Sequence, residues 1–238
     1  MTTSAILVIA LAVLVGSFIQ AVAGLGIGIV AAPTVALVEP SLMPALPLWL
    51  GLFVSSLSVV GEHRNIDWRA IRWTLPARAV GTLPGLWLVL VFTPQQLGVA
   101  VAVMVLLAVG LSLRTLDLPI NRVTMVGAGF AGGVGGTTTS IAGPPMALLF
   151  QHRRPSEVRP TLAVFFAVGV VMSLTGLALT SALPNASLLV ALVVLPCLVV
   201  GLWVGIRLRP VLPRKRFRQV VLTVCAASAL VLLARSLV

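Results

Sequence analysis

Charge is scarce in this sequence. Only 9% of its 238 residues are charged, whereas 59% are hydrophobic, and soluble domains carry about 25% charged residues. The apolar residues form repeated runs of the roughly 20 residues that cross the hydrocarbon core of a bilayer, with short links between them. The composition therefore excludes an ordinary soluble domain and predicts an all-α polytopic membrane protein.

Carboxylates, histidines and cysteines are also rare. The carboxylates and histidines lie at or near predicted loops: Glu39, Glu62, His63, Asp67, Asp117, His152 and Glu157. An intramembrane protease, a metalloenzyme or a carboxylate-driven cation antiporter needs such groups at membrane depth. We therefore expect no enzyme activity, no metal site and no cofactor. Cys197 and Cys225 lie in apolar runs, which is typical of small buried residues.

Basic residues outnumber acidic ones by 16 to 5, which gives a formal net charge of +11. In a soluble protein this excess would point to nucleic acid, but here it collects in the links 62–73, 114–122, 151–159 and 207–218. The other links, 39–43, 93–95 and 182–187, contain no Lys or Arg. The positive-inside rule places the basic links on the cytoplasmic side of a bacterial inner membrane, and no nucleic-acid partner is expected.

Eight apolar segments follow one another along the chain, at about 5–38, 44–61, 73–92, 96–114, 123–150, 160–181, 188–208 and 216–237. Segments 5–38 and 123–150 are too long for one span and are interrupted by glycine and proline. Because both links beside 123–150 are basic, this segment must enter and leave the membrane on the same side. The alternative, eight plain spans in a parallel repeat, would place 151–159 outside.

The two halves of the chain resemble each other. GSFIQAVAGLGIGIVAAP (16–33) aligns with GAGFAGGVGGTTTSIAGP (127–144), and the pattern P-x4-G-x3-G recurs at 76–85 and 196–205. We interpret the chain as a single integral membrane domain of two inverted-topology repeats, residues 1–118 and 119–238. Each repeat contains a broken or re-entrant helical hairpin and three transmembrane helices.

The interrupted stretches GLGIG (24–28) and GGVGGTTTS (132–140) are the predicted functional site. Backbone that leaves helical form at membrane depth is tolerated only inside protein or against water, so the two stretches should face each other centrally. Free amides at half-helix N-termini and hydroxyl groups suit a small oxyanion. The candidate binding residues are Gln20, Gly24, Gly26, Gly28, Pro33, Gly135, Gly136, Thr137, Thr138, Thr139, Ser140, Gly143 and Pro144.

Two structural readings of the same residues stay open. Small residues also allow tight helix packing in membranes, and Thr or Ser can bond back to a helix carbonyl. Arg78, several residues inside segment 73–92, is a further candidate for attracting anions, with snorkelling to the cytoplasmic interface as the alternative. Its counterpart in the second repeat is the apolar Leu198.

The glycine-rich pair AGLGIGIVAAP (23–33) and GGVGGTTTSIAGPP (132–145), together with P-x4-G-x3-G in each half, resembles the two signature regions of the sulfite exporter TauE/SafE family. The resemblance spans almost the whole chain. It implies transport of small sulfur-containing anions, such as sulfite, sulfoacetate or thiosulfate, across the bacterial cytoplasmic membrane.

The expected function is therefore a secondary transporter or exporter of such an anion. The anion would bind near the bilayer midplane to the amides and hydroxyls of the two broken helices and move by alternating access. Its partners would be the anion and the lipid bilayer, and a homodimer is left open. The alternatives are a transporter of a metal cation or neutral organic solute, or a non-transporting membrane enzyme or assembly factor.

Overall fold

The chain folds almost entirely into helices. The computed structural model describes residues 2–23, 27–61, 65–113, 119–211 and 214–237, and these residues contain no strand. The helices are α1 (Thr3–Ala23), α2 (Gly28–Val38), a 3₁₀ turn (Pro40–Leu42), α3 (Ala45–Gly61), α4 (Trp68–Val91), α5 (Pro94–Leu113), α6 (Arg122–Thr139), α7 (Gly143–Leu149), α8 (Pro155–Leu179), α9 (Asn185–Leu208) and α10 (Arg214–Leu237).

The membrane character of the fold is confirmed. Within the described part of the chain, six helices are long and apolar enough to cross a bilayer: α1, α4, α5, α8, α9 and α10. The predicted apolar segments correspond to these helices, to α3 and to the interrupted pairs α1–α2 and α6–α7. The all-α polytopic prediction is therefore correct in fold class.

Two basic links are shorter than predicted, because the helices begin inside them. Helix α4 begins at Trp68, where the Asp67 carboxylate accepts a hydrogen bond from the Ala70 amide at 3.0 Å and caps the helix. Helix α8 begins at Pro155, whose fixed φ suits the first turn of a helix. Much of 62–73 and 151–159 is therefore helical.

The interruption in the second half lies later than predicted. We expected GGVGGTTTS (132–140) to leave helical form, but α6 continues through Thr139 and only Ser140, Ile141 and Ala142 separate it from α7. The physical reason is packing, because the α6 glycines let α4 approach closely. A Cβ at Gly129 or Gly133 would collide with the α4 backbone, and this contact offsets the low helix propensity of glycine.

Three basic links meet on one face of the molecule, which we call the basic face. The guanidinium carbons of Arg72 and Arg122 lie 5.8 and 5.1 Å from the ring centroid of Trp73. The Asp67 amide donates to the Thr161 hydroxyl at 2.9 Å, which joins the start of α4 to that of α8. The ends of segment 123–150 therefore lie on the same face, as the returning hairpin requires.

The glycines of P-x4-G-x3-G allow a close contact between two helices in both halves of the chain. Gly81 and Gly85 of α4 contact the α6 backbone, and Gly201 and Gly205 of α9 contact the α1 backbone. In each case the two helices run parallel along their contact. This correspondence is what two related halves would produce; the inverted duplication into 1–118 and 119–238 stays a prediction.

Two hydrophobic clusters divide the molecule. One is built mainly on α1, α2, α5, α9 and α10, with the beginning of α3. The other is built on α4, α6, α7 and α8, around Met146 and Phe165. A smaller cluster around Leu48 and Leu174 joins α3 to α8. The two large clusters leave a space between them. The interruptions of the two hairpins lie at this space.

Candidate functional site

The interruptions of the two hairpins touch each other. Gly28 begins α2, and Ser140 follows the last residue of α6. A Cβ placed on Gly28 would lie 2.5 Å from the Ser140 carbonyl oxygen, so glycine is required for this approach. The two broken elements therefore contact each other, as the sequence predicted, and the position of this contact near the bilayer midplane stays a prediction.

A central cavity of about 60 Å³ lies beside this contact. Its polar lining comes from both halves of the chain and includes Gln20, Ser55, Arg78 and Ser140. Its remaining walls are glycine and apolar side chains, among them Gly28, Gly51, Val54, Gly136, Gly143, Phe166 and Val170. A water occupies roughly 10–15 Å³ on this scale, so the cavity has room for a few waters or one compact ion.

Arg78 is the charged group of the central cavity. It is ten residues beyond Trp68, which puts it about 15 Å along α4, and its side chain is only 1% exposed. Snorkelling is therefore wrong: the guanidinium is held inside the protein and faces the cavity. Its carbon lies 4.5 Å from the ring centroid of Phe165, a cation–π contact that supports the charge from one side.

No carboxylate among the described residues neutralises Arg78, and its Nε and Nη1 atoms are buried without a hydrogen-bond partner there. Glu39 accepts from Ser41, Asp67 caps α4, and Glu157 pairs with Arg153 at 3.7 Å. Burying an unpaired charge costs several kcal/mol. A group kept in this state inside a membrane protein is by default a functional one.

Glycines leave the room that Arg78 occupies. A Cβ at Gly169 of α8 would overlap the Arg78 guanidinium, and one at Gly136 of α6 would lie 3.2 Å from its Nη2 atom. The carbonyl of Arg78 also accepts from the Thr82 hydroxyl at 2.9 Å. The side chain is therefore confined by backbone on two sides and by Phe165 on a third.

Backbone amides converge on the same cavity. Ser140 has φ 62°, a left-handed conformation directly after helical Thr139, and such a right-handed to left-handed succession points consecutive N–H groups into an anion-binding concavity. Opposite it, α2 begins at Gly28 without a side-chain cap. The Val30 and Ala31 amides donate to the Ile27 carbonyl at 3.2 and 2.9 Å, so the amides that α2 can offer to a ligand are those of Gly28 and Ile29. The lining thus combines a cation with N–H donors, which suits an anion.

The three threonines behave differently from the prediction of free hydroxyl donors. Thr137 bonds with Ser173 at 2.8 Å, Thr138 donates to the Gly85 carbonyl at 3.3 Å, and Thr139 donates to the Gly135 carbonyl at 2.7 Å. They do not belong to the cavity lining. The hydroxyls of Thr137 and Thr138 join α6 to α8 and α4, whereas that of Thr139 bonds back within α6. A role of the three hydroxyls in anion binding stays a prediction.

The other predicted site residues fall into three groups. Gln20, Gly28, Gly136, Ser140 and Gly143 line the cavity with Arg78. Three are buried outside the lining: Pro33, Gly135 and Pro144. Gly135 packs under Met104 of α5. Gly24 and Gly26 lie outside the described residues.

Several residues that line the cavity or surround Arg78 were missed from the sequence. Ser55, Phe165, Phe166 and Gly169 lie in uniformly apolar stretches of α3 and α8, where no local pattern distinguishes them. Of the residues around the cavity in α3, α4 and α8, only Arg78 could be identified from the sequence, because a basic residue deep in an apolar segment indicates a functional role. The residues that surround it become visible only once α4, α6 and α8 are packed together.

Comparison with known proteins gives one match. The sequence model of a family described as sulfite exporter TauE/SafE matches residues 8–232, nearly the entire chain. No curated protein and no solved structure matches the chain significantly.

Proposed function

The chain belongs to the sulfite exporter TauE/SafE family, whose members transport sulfur-containing anions, and we propose that it exports a small sulfur oxyanion bound to Arg78 in the central cavity. The family consists of transporters, not enzymes, and the helical membrane fold agrees with that role. The observation that carries the proposed site is the buried Arg78 side chain, which lines a cavity of ionic size and whose Nε and Nη1 atoms have no hydrogen-bond partner among the described residues.

The anion would complete the hydrogen bonding of Arg78. A guanidinium presents its donors in a planar fork that matches an oxyanion in two places at once. Amides of the Ser140–Ala142 turn and of Gly28 and Ile29 at the start of α2 would donate from the other sides, and Gln20 and Ser55 add neutral polar groups. The anion would thereby exchange its water shell for fixed donors.

Cavity volume bears on which anion is carried. The space of about 60 Å³ suits an ion of one sulfur and three oxygens, or the same ion with a second sulfur. Sulfoacetate adds a methylene and a carboxylate to its sulfonate, and the apolar wall of Val54, Phe166 and Val170 offers that carboxylate no partner. We therefore favour sulfite and thiosulfate over sulfoacetate as substrates.

Alternating access would use the two hydrophobic clusters as moving bodies. Arg78 and the Ser140 turn belong to the α4–α6–α7–α8 body, whereas Gln20 and Gly28 belong to the α1–α2–α9 side. Rocking one body against the other would open the cavity to each side in turn. Direct hydrogen bonds within one body, such as Thr137 with Ser173, would keep Arg78 in register with its walls.

The test removes the charge of Arg78. We expect sulfite to raise the melting temperature of the purified wild type in detergent, and Arg78→Leu to abolish this shift. Arg78→Lys keeps the charge but loses the fork, so its affinity should fall roughly 10- to 100-fold, since hydrogen bonds to charged groups contribute about 1.5–3 kcal/mol.

Arg207→Leu is the matched control, because Arg207 is exposed and stacks on Trp203 at 5.0 Å, away from the cavity. Without sulfite, Arg78→Leu should melt no lower than wild type, since an apolar replacement removes an unpaired buried charge. If sulfite stabilised Arg78→Leu as much as wild type, the proposed site would be wrong. Stabilisation by a metal cation or neutral solute instead would favour the alternative transporters.

A further inference from the structure

A second cavity opens beside the central one on the side of the basic face. We call it the vestibule; its volume is about 310 Å³, several times that of the central cavity. The two cavities share Gln20, Val54, Ser55 and Phe166. These four residues, which we call the neck, are therefore the boundary that an ion would cross between vestibule and Arg78.

The vestibule carries positive charge without negative charge in its described lining. Arg159 lies on the second turn of α8 and Arg209 directly follows α9, and both line the cavity. Its other polar groups are neutral: Gln20, Ser55 and Ser58. Both arginines are partly buried, so the low-dielectric walls concentrate their field within the space.

We propose that the vestibule contains a second anion subsite, formed by Arg159 and Arg209, which accepts the anion from the cytoplasm and passes it through the neck to Arg78. The proposal rests on the proposed function. It adds a site on the route, with its own residues and its own selectivity. With two sites, the anion loses its water shell in two steps. It binds partly hydrated between the two partly exposed arginines of the vestibule, and it loses the remaining water when it enters the smaller cavity.

Size separates the two sites. An aromatic sulfonate such as naphthalene-1-sulfonate is too bulky for a space of about 60 Å³ but fits one of about 310 Å³. Its charged group would lie between the arginines and its ring against Leu162, Phe166, Leu202 and Ile206, which form the apolar wall of the vestibule. This ion is therefore a fluorescent probe for the vestibule alone.

The experiment compares two double variants that remove the same charge from the same face. Arg159→Gln with Arg209→Gln neutralises the vestibule. Arg153→Gln with Arg207→Gln neutralises two exposed arginines outside its lining. The probe should bind wild type, the control pair and Arg78→Leu alike, and its affinity should fall at least about tenfold in the vestibule pair, because field focusing in such clefts changes local ion concentration by 10-fold or more.

Transport supplies the second readout. In inverted membrane vesicles, the vestibule pair should raise the KM for sulfite about tenfold without changing the maximal rate, and should lose most of the salt dependence of the wild type. Probe binding or KM unchanged in the vestibule pair, or equally changed in the control pair, would overturn the subsite. Failure of the proposed function looks different: wild type would show no sulfite transport while the probe still bound through Arg159 and Arg209.

Discussion

Arg78 and its immediate neighbours form the part of the molecule that is best suited to bind an anion. Its charge is retained at a cost, and glycine at positions 136 and 169 is part of how the fold accommodates it. The choice of small residues near it is therefore tied to the guanidinium and not only to helix packing. At this scale, a single methyl group can change binding without touching the ligand.

Gly169→Ala should weaken anion binding while the protein stays folded. The added methyl group overlaps the Arg78 guanidinium, so the side chain must turn away from its present position. A loss of about 1.4 kcal/mol in binding would lower affinity tenfold, measurable by titration with sulfite. Gly127→Ala is the control, since a Cβ there meets nothing within 4 Å; equal affinities in the two variants would contradict the confinement of Arg78.

Valine substitutions at Thr137, Thr138 and Thr139 distinguish two roles for these hydroxyls. Their bonds to Ser173, Gly85 and Gly135 predict that each valine lowers stability by about 0.5–1.5 kcal/mol, the net contribution of a typical hydrogen bond. Sulfite affinity should stay within a few-fold of wild type. A loss of binding with unchanged melting temperature would instead make the hydroxyls anion ligands.

At the scale of helices, the apolar segments and their interruptions predicted the positions of the helices better than the local residue types predicted where a helix ends. Every described helix lies in or beside a predicted apolar segment, and both interrupted hairpins were identified. The detail failed at 132–139, since single-sequence propensity treats Gly-Gly-Thr as loop whereas α4 packs against it as helix. Ser55 and Phe166 could not be found at all, because their role depends on which helices become neighbours.

Gly201→Ala tests the matching of helix pairs. A Cβ at Gly201 would collide with the α1 carbonyl of Leu14 and the hydroxyl of Ser17. Overpacking of this kind costs about 1–3 kcal/mol, so we expect a lower melting temperature and a larger aggregated fraction in size-exclusion chromatography. Gly110→Ala meets nothing within 4 Å and should behave as wild type; no difference between them would contradict the close α1–α9 contact.

At the scale of the whole molecule, the basic links lie together on one face. Arg72, Arg122 and Thr161 tie three basic links together, and Arg159 shares the vestibule with Arg209 from the fourth. Placing that face in the cytoplasm follows from the positive-inside rule. Helix α4 starts on this face, and α9, its counterpart in the predicted repeat, ends on it; inverted halves would have this relation, and the duplication itself stays a prediction.

Cysteine labelling in intact cells should divide the chain by face. A membrane-impermeant maleimide should label Gln95→Cys and Asn185→Cys from outside, but Arg153→Cys and Arg207→Cys only after the membrane is opened. All four positions are exposed, so access alone separates them. The native Cys197 and Cys225 lie within α9 and α10 and should stay unlabelled. Outside labelling of Arg153→Cys would contradict the topology.

Export should respond to membrane potential. Moving one negative charge outward across an inside-negative membrane is favoured by about 2.3 kcal/mol per 100 mV, so a coupling ion is not required. In proteoliposomes loaded with sulfite, a potassium diffusion potential that makes the lumen negative should accelerate efflux, and the opposite potential should slow it. An efflux rate indifferent to both would eliminate potential-driven export.

Arg78 in the first predicted repeat aligns with the apolar Leu198 in the second, so the two halves differ in charge at this position. Only one of the two corresponding helices brings a cation to the centre. If the anion binds Arg78 as proposed, a singly charged anion would make the loaded site neutral, and the loaded protein would reorient with little charge displacement. The empty protein would keep an uncompensated guanidinium, and the voltage would act on its return. The transient current should therefore belong to the unloaded protein, and saturating sulfite should suppress it.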